Sequence, residues 1–173
     1  FRSKSEKYLA LQAQYELLED EESKIRCLID IVLEMRAFDI DEAFKLSDEI
    51  IERSLKIRFK EGVGRGLNHK GACYWLKGEY DKALTFYNKA LAIQESINNK
   101  DGATNTLNNI AGVFVKKGNY NLALNYCQKS FNNAQALGYP EKIRNAAKLL
   151  WQIYKAKCEY QKAFENFELF ITM

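Results

Sequence analysis

His69 is the only imidazole in the 173-residue chain, which bars any catalytic pair or metal cluster that needs two histidines. A nucleophile–base–orienter constellation would have to run through this one side chain, and no Gly-x-Ser-x-Gly motif accompanies it. His69 is therefore expected on a helix surface or in a groove. Gly62-Val63-Gly64-Arg65-Gly66 has the glycine content of a phosphate-cradling loop. It follows a charged helix end, lacks the Gly-Lys-Ser/Thr that reaches phosphate and metal, and has no strand before it, so it reads as a flexible turn into the next helix. Asp20-Glu21-Glu22 and Asp41-Glu42 fall at expected loops or helix starts, where carboxylates offset the helix dipole, so they read as caps and not as acid and base. Cys27, Cys73, Cys127 and Cys158 form no Cys-x-x-Cys pair. They are expected as reduced structural thiols within helical patterns, not as zinc ligands. No cofactor, metal or enzymatic role is expected of this chain.

The elements that carry these residues must be helical. One Pro and nine Gly are too few breakers for many short strands and suit long helices. With 47% hydrophobic residues the chain should fold, with a core needing no disulfide framework. Its 26 Lys and Arg are interspersed with 23 Asp and Glu for a net charge of +3, and nucleic-acid binding needs a concentrated basic face, so no nucleic-acid partner is expected. The longest apolar stretch, Leu28 to Leu33, is broken by Asp30 and falls short of the roughly 20 residues of a membrane span. Residues 1–6 lack the apolar core of a leader, and an opening on Phe1 is expected of a piece of a longer chain.

One phrase returns every 40 residues. Gly78-Glu79-Tyr80-Asp81-Lys82-Ala83-Leu84 is answered by Gly118-Asn119-Tyr120-Asn121-Leu122-Ala123-Leu124. Weaker copies stand at Phe38-Asp39-Ile40-Asp41-Glu42-Ala43-Phe44 and Cys158-Glu159-Tyr160-Gln161-Lys162-Ala163-Phe164. Ala43, Ala83, Ala123 and Ala163 suit a helix crossing, where a methyl lets two backbones approach. Gly78 and Gly118 suit a helix C-terminus with positive φ. Leu67, Gly71 and Tyr74 share one helical stripe before the turn, and Ala83, Tyr87, Ala90 and Leu91 share another after it, so each unit reads as two helices. Asn98 to Gly102 and Gly138-Tyr139-Pro140-Glu141 separate the units. Residues 1–173 are expected to form a single solenoid domain, with repeats at about 1–20 (partial), 21–60, 61–100, 101–140 and 141–173 (truncated).

Gly71, Tyr74, Gly78, Tyr80, Ala83 and Tyr87 in one unit, and Ile110, Ala111, Phe114, Gly118, Tyr120 and Ala123 in the next, resemble the tetratricopeptide repeat of about 34 residues. The outer units depart from the pattern, with Ile31 and Trp151 in place of the small residue and Glu34 in place of the aromatic. The closing Pro is missing and the period is longer. The last unit, Ala147 to Met173, is similar to the final repeat in sensor regions of bacterial histidine kinases, nucleotide cyclases and helix-turn-helix regulators. The resemblance implies an all-α, right-handed superhelical solenoid of antiparallel helix pairs. It further implies a non-enzymatic module that binds a peptide or partner protein, as the sensory region of a signalling protein. Free thiols favour the cytoplasm, and a sensor arm allows the periplasm.

In such a superhelix the first helix of each unit lines the inner face. Asn68 matches Asn108, and Asn105 matches Asn145, giving two amide rows that could hydrogen-bond an extended peptide backbone. Arg65, Lys116 and Lys148 near the same face would favour an acidic segment. Ala72 and Gly112 leave room, with Trp75 and Gln152 as walls. The alternative is a solvated helix face whose asparagines reflect composition alone. Phe167, Phe170 and Ile171 of the C-terminal helix could instead pair with a second copy, giving a homodimer or an assembly scaffold.

Overall fold

The computed structural model describes residues 5–173, so the first four residues of the stretch read above as free of a leader lie outside the described residues. The described residues form nine helices and no strand. They are α1 (Glu6–Leu17), α2 (Glu21–Met35), α3 (Ile40–Lys56), α4 (Lys60–Leu76), α5 (Tyr80–Ser96), α6 (Lys100–Lys116), α7 (Tyr120–Leu137), α8 (Pro140–Ala156) and α9 (Tyr160–Thr172). The chain divides into two compact units, one through Ile97 and one from Asn98 onward.

Local chemistry sets the helix starts. Asp20 accepts from the Ser23 N–H at 2.8 Å and Asp39 from the Glu42 N–H at 2.9 Å. Each satisfies one of the amides that a helix N-terminus leaves unpaired. Glu21, Glu22, Asp41 and Glu42 fill the first turns of α2 and α3, as expected of carboxylates near the positive end of the dipole. Asn99 and Asn119 cap α6 and α7 the same way, and Pro140 opens α8. The ends of α3 to α8 are each followed by a left-handed residue: Gly78, Gly118 and Gly138, and also Arg58, Asn98 and Cys158. Cys158 is thus an exposed turn residue and not part of a helical pattern, a correction to the sequence reading. The other three cysteines are buried, and none of the four is in a disulfide.

In the first unit α2 packs on α1, α3 and α4, and α4 packs on α3 and α5. The core gathers Tyr8, Ile25, Leu28, Ile29, Ile31, Val32, Met35, Ile50 and Cys73. Gly62 to Gly66 correct a second expectation, because they lie within α4 and not in a turn. A methyl on Gly62 would run into the Ser54 hydroxyl and the Phe59 ring. One on Gly66 would sit 2.7 Å from Ile51 Cγ1. Close approach of α3 and α4 demands bare backbone there, and burial outweighs glycine's poor helix propensity of about 1 kcal/mol per residue.

In the second unit α6 packs on α7 and α8, α7 on α8, and α8 on α9. Ala111, Ala123, Cys127, Ala146, Leu150 and Ile153 make its core. Two side-chain bonds pin it: Ser130 Oγ donates to the Thr104 carbonyl at 2.9 Å, and the Cys127 thiol to that of Ala146 at 3.5 Å. Burial pushes the Cys127 thiol up to about 12, leaving an inert core thiol. The four recurring alanines, Ala43, Ala83, Ala123 and Ala163, are all buried. Among the described residues no helix is long and apolar enough to cross a membrane, and no group of three or more His, Cys, Asp or Glu could hold a metal ion.

Candidate binding face

In the first unit the expected site residues lie on α4. Arg65, Asn68 and Trp75 are half-buried there, and Ala72 is buried. Spacings of three and four residues put them on one stripe. Arg65 donates from Nε to Glu61 Oε1 at 3.1 Å, and Glu61 also receives Arg26 Nη2 at 3.2 Å. The charge expected to favour an acidic partner is therefore already partly offset within the unit.

Behind this stripe lies His69, and its place overturns the surface-or-groove expectation. It is 8% exposed, and its Nδ1 has no hydrogen-bond partner. Burial holds its pKa well below the usual imidazole range, and the charges of Arg36 and Arg65 push the same way. α4 is covered on several sides by α2, α3 and α5, so one apolar stripe on a helical wheel understates how much of it is interior. Tyr87 on α5 and Cys73 on α4 share the region, both with pKa raised by burial.

In the second unit Asn105 and Lys116 of α6 are exposed, and Asn108 is half-buried between them. Asn108 Oδ1 is closed off from solvent without a hydrogen-bond partner. A methyl built on Gly112, on the same stripe, meets nothing within 4 Å, so the space in front of it is open. On α8, Asn145, Lys148 and Gln152 are all exposed. Lys148 Nζ lies 5.6 Å from the Phe170 ring centroid, a cation–π contact to α9 that the sequence reading missed. Phe170 is the end of an aromatic run in which Trp151 meets Phe167 at 5.3 Å and Phe167 meets Phe170 at 6.4 Å. The large residue at 151 thus has an aromatic partner across the helix pair. Its signal in the sequence was the departure of position 151 from the small residues Gly71 and Ala111 that stand there in the two preceding repeats.

The stripes present amides, open backbone and half-buried aromatics, groups able to make hydrogen bonds and apolar contacts. Residues 31–96, from α2 through α5, match the family model of the tetratricopeptide repeat. No curated protein matches the sequence. Among solved structures, BtubC (BKLC) from P. vanneervenii is similar with a TM-score of 0.74 at 14% identity, over 93% of this chain and 70% of that one. A kinesin light chain-type protein from Podosopora anserina with nearly identical TPR-like repeats gives 0.64 at 16% identity, over 95% and 81%. A Rap protein in complex with competence and sporulation factor gives 0.64 at 14% identity, over 95% and 55%. The chain has the all-α fold of tetratricopeptide-like helical repeat proteins.

Proposed function

We propose that this chain is a non-enzymatic interaction module that holds a peptide or partner protein against the first helix of each repeat. The repeat fold supports an interaction role in general. The observation that carries the finer reading is Asn108, whose Oδ1 is withdrawn from water yet unpaired, beside the open backbone of Gly112. A buried acceptor without a donor costs about 1–3 kcal/mol, a deficit that a ligand N–H would remove. Asn68, Asn105 and Asn145 with Arg65, Trp75, Lys116, Lys148 and Gln152 complete the proposed contact set. Peptides selected by display against the native chain should lose binding to the combined variant N68A/N108A/K148A while its circular dichroism stays native. Unchanged binding by the folded triple variant would refute this face.

We place the module in the regulatory arm of a signalling protein, a histidine kinase or nucleotide cyclase, in the cytoplasm. The similarity to a Rap protein solved with competence and sporulation factor supports the regulatory part. Intact mass and sequencing of the native protein test this assignment: an attached output domain supports it, and a free-standing repeat protein overturns it.

A second reading, self-assembly, is favoured by α9. Phe164 is 57% exposed and Ile171 60%, with Tyr160 and Met173 also uncovered on this last helix. Light scattering across a concentration series decides: a rising mass supports pairing through α9, and a constant monomer mass counts against it.

A further inference from the structure

Among the described arginines of the first unit, Arg26 pairs with Glu22 and Glu61, Arg53 with Glu21 and Glu49, and Arg65 with Glu61. Arg58 stands exposed in a turn. Arg36 differs from all of these. It follows the last turn of α2, its side chain is partly buried, and its Nε is closed off from water with no hydrogen-bond partner. Among the described residues no carboxylate of the unit pairs with it. Asp41, the acid on α3 next along from the Asp39 cap, is already bonded to Lys77 at 2.6 Å.

A second orphan faces the same region. Met35 and Cys73 belong to one core cluster, which brings the end of α2 against α4. His69 lies one turn before Cys73 on the same face of α4, and its Nδ1 is likewise buried and unpaired. The two groups feel each other's electrostatics. A withdrawn guanidinium without an anion is costly, and native structures pair such charges. A second polar nitrogen unpaired in the same core leaves two groups without partners there, and the neighbouring Tyr87 and Cys73, both kept neutral by burial, do not balance the guanidinium's charge.

We propose that Arg36 and His69 form a receiving site in the first unit for a carboxylate, carried by a small organic acid or by an acidic side chain of a bound peptide. One uncompensated guanidinium matches a monoanion. A phosphate dianion would bring surplus negative charge that Arg65, held by Glu61, is not free to offset. The planar fork of Arg36 suits a carboxylate's two oxygens, and His69 in its Nδ1–H tautomer adds a further donor. Partial exposure of Arg36 gives the ligand a way in. The site needs no peptide to be tested, so its failure and that of the amide face are separate results.

Since His69 is the sole histidine, its imidazole proton signals are an unambiguous reporter. Sodium acetate titrated into the native chain at constant ionic strength and pH should shift them saturably, and sodium chloride should not. R36M should weaken the acetate response about tenfold or more, since a charge-assisted hydrogen bond is worth roughly one decade in affinity. R58Q should leave it unchanged. R36M should also be as stable as the native chain in urea, because removing a buried charge that has no partner leaves none behind. Absence of a saturable acetate shift in the native chain overturns the proposal whatever the variants do. So does a response to inorganic phosphate without one to acetate, or an R36M protein that binds acetate as well as the native chain.

Discussion

Tyr87 fills the space that a side chain at Gly71 would need: a methyl there would lie 2.7 Å from ring Cδ1 and 2.8 Å from Cε1. Tyr87 is 2% exposed, so its ring has no room to retreat. Forty residues on, the same two positions hold Ala111 and Cys127, both buried in the core of the second unit. Small against large in one repeat becomes two small side chains in the next.

Gly71→Ala should therefore destabilise the chain by about 1–3 kcal/mol, the cost of overpacking a tight core. In a Tyr87→Cys background the same change should cost less, a coupling that urea denaturation of the four-member mutant cycle measures. Equal costs in both backgrounds would show that the ring does not enforce the glycine.

The left-handed turn residues make a backbone prediction. Gly118→Ala meets no atom within 4 Å, so its cost is conformational alone, about 1 kcal/mol. Arg58, with φ of 57°, holds the same conformation with a side chain. Arg58→Gly should stabilise by about 0.5–1 kcal/mol, since relief of strain exceeds the added freedom of the unfolded chain. Thermal melts of the two variants should shift in opposite directions.

Burial of His69 sets a pH dependence. Its folded pKa is depressed below the unfolded value of about 6.5, so the unfolded chain takes up the proton first. Stability should hold above pH 7 and fall as pH drops below about 6.5, by up to about 1.4 kcal/mol per pH unit until the folded group titrates. His69→Gln should flatten the curve between pH 7 and about 5.5, above the carboxylate range. Parallel curves for the two proteins would place His69 in water.

Arg53 ties three helices together. It donates to both oxygens of Glu21 at 2.5 and 3.0 Å, to Tyr15 Oη at 2.8 Å and to Glu49 at 2.8 Å, and it is itself 17% exposed. Glu21 is open to water, which screens the pair, so Arg53→Ala should cost about 1–2 kcal/mol. The loss should be local, with faster amide exchange in α1, which Tyr15 anchors, than in α4.

Repetition made much of this structure readable in the residues. The alanines at 43, 83, 123 and 163 and the glycines at 78 and 118 each repeat a local requirement, so position and reason appeared together. Features outside the repeat were not readable in this way. Arg36 is matched 40 residues on by Leu76 and then by Lys116, so no pattern marks it. Gly62 and Gly66 read as a turn because intrinsic preference argues for one, and the tight α3–α4 contact that reverses it is known only once both helices are placed. His69 escaped because a wheel shows one apolar stripe, whereas α4 has neighbours on three helices. For the amide rows on α4, α6 and α8, spacing gave the stripe, but not that Asn108 would hide an unpaired oxygen.

From Arg58 to Cys158 a left-handed residue recurs every 20 positions, at 58, 78, 98, 118, 138 and 158. Any two of these joints that stand 40 apart are interchangeable seams. A gene that gains or loses 40 codons between them rejoins backbone of the same handedness and delivers the next helix in unchanged phase. A slip of one codon instead turns the downstream apolar stripe by about 100° and buries the wrong side. Such a chain can lengthen or shorten by whole repeats while point insertions are purged, so its length is free to drift in steps even as its internal spacing stays fixed.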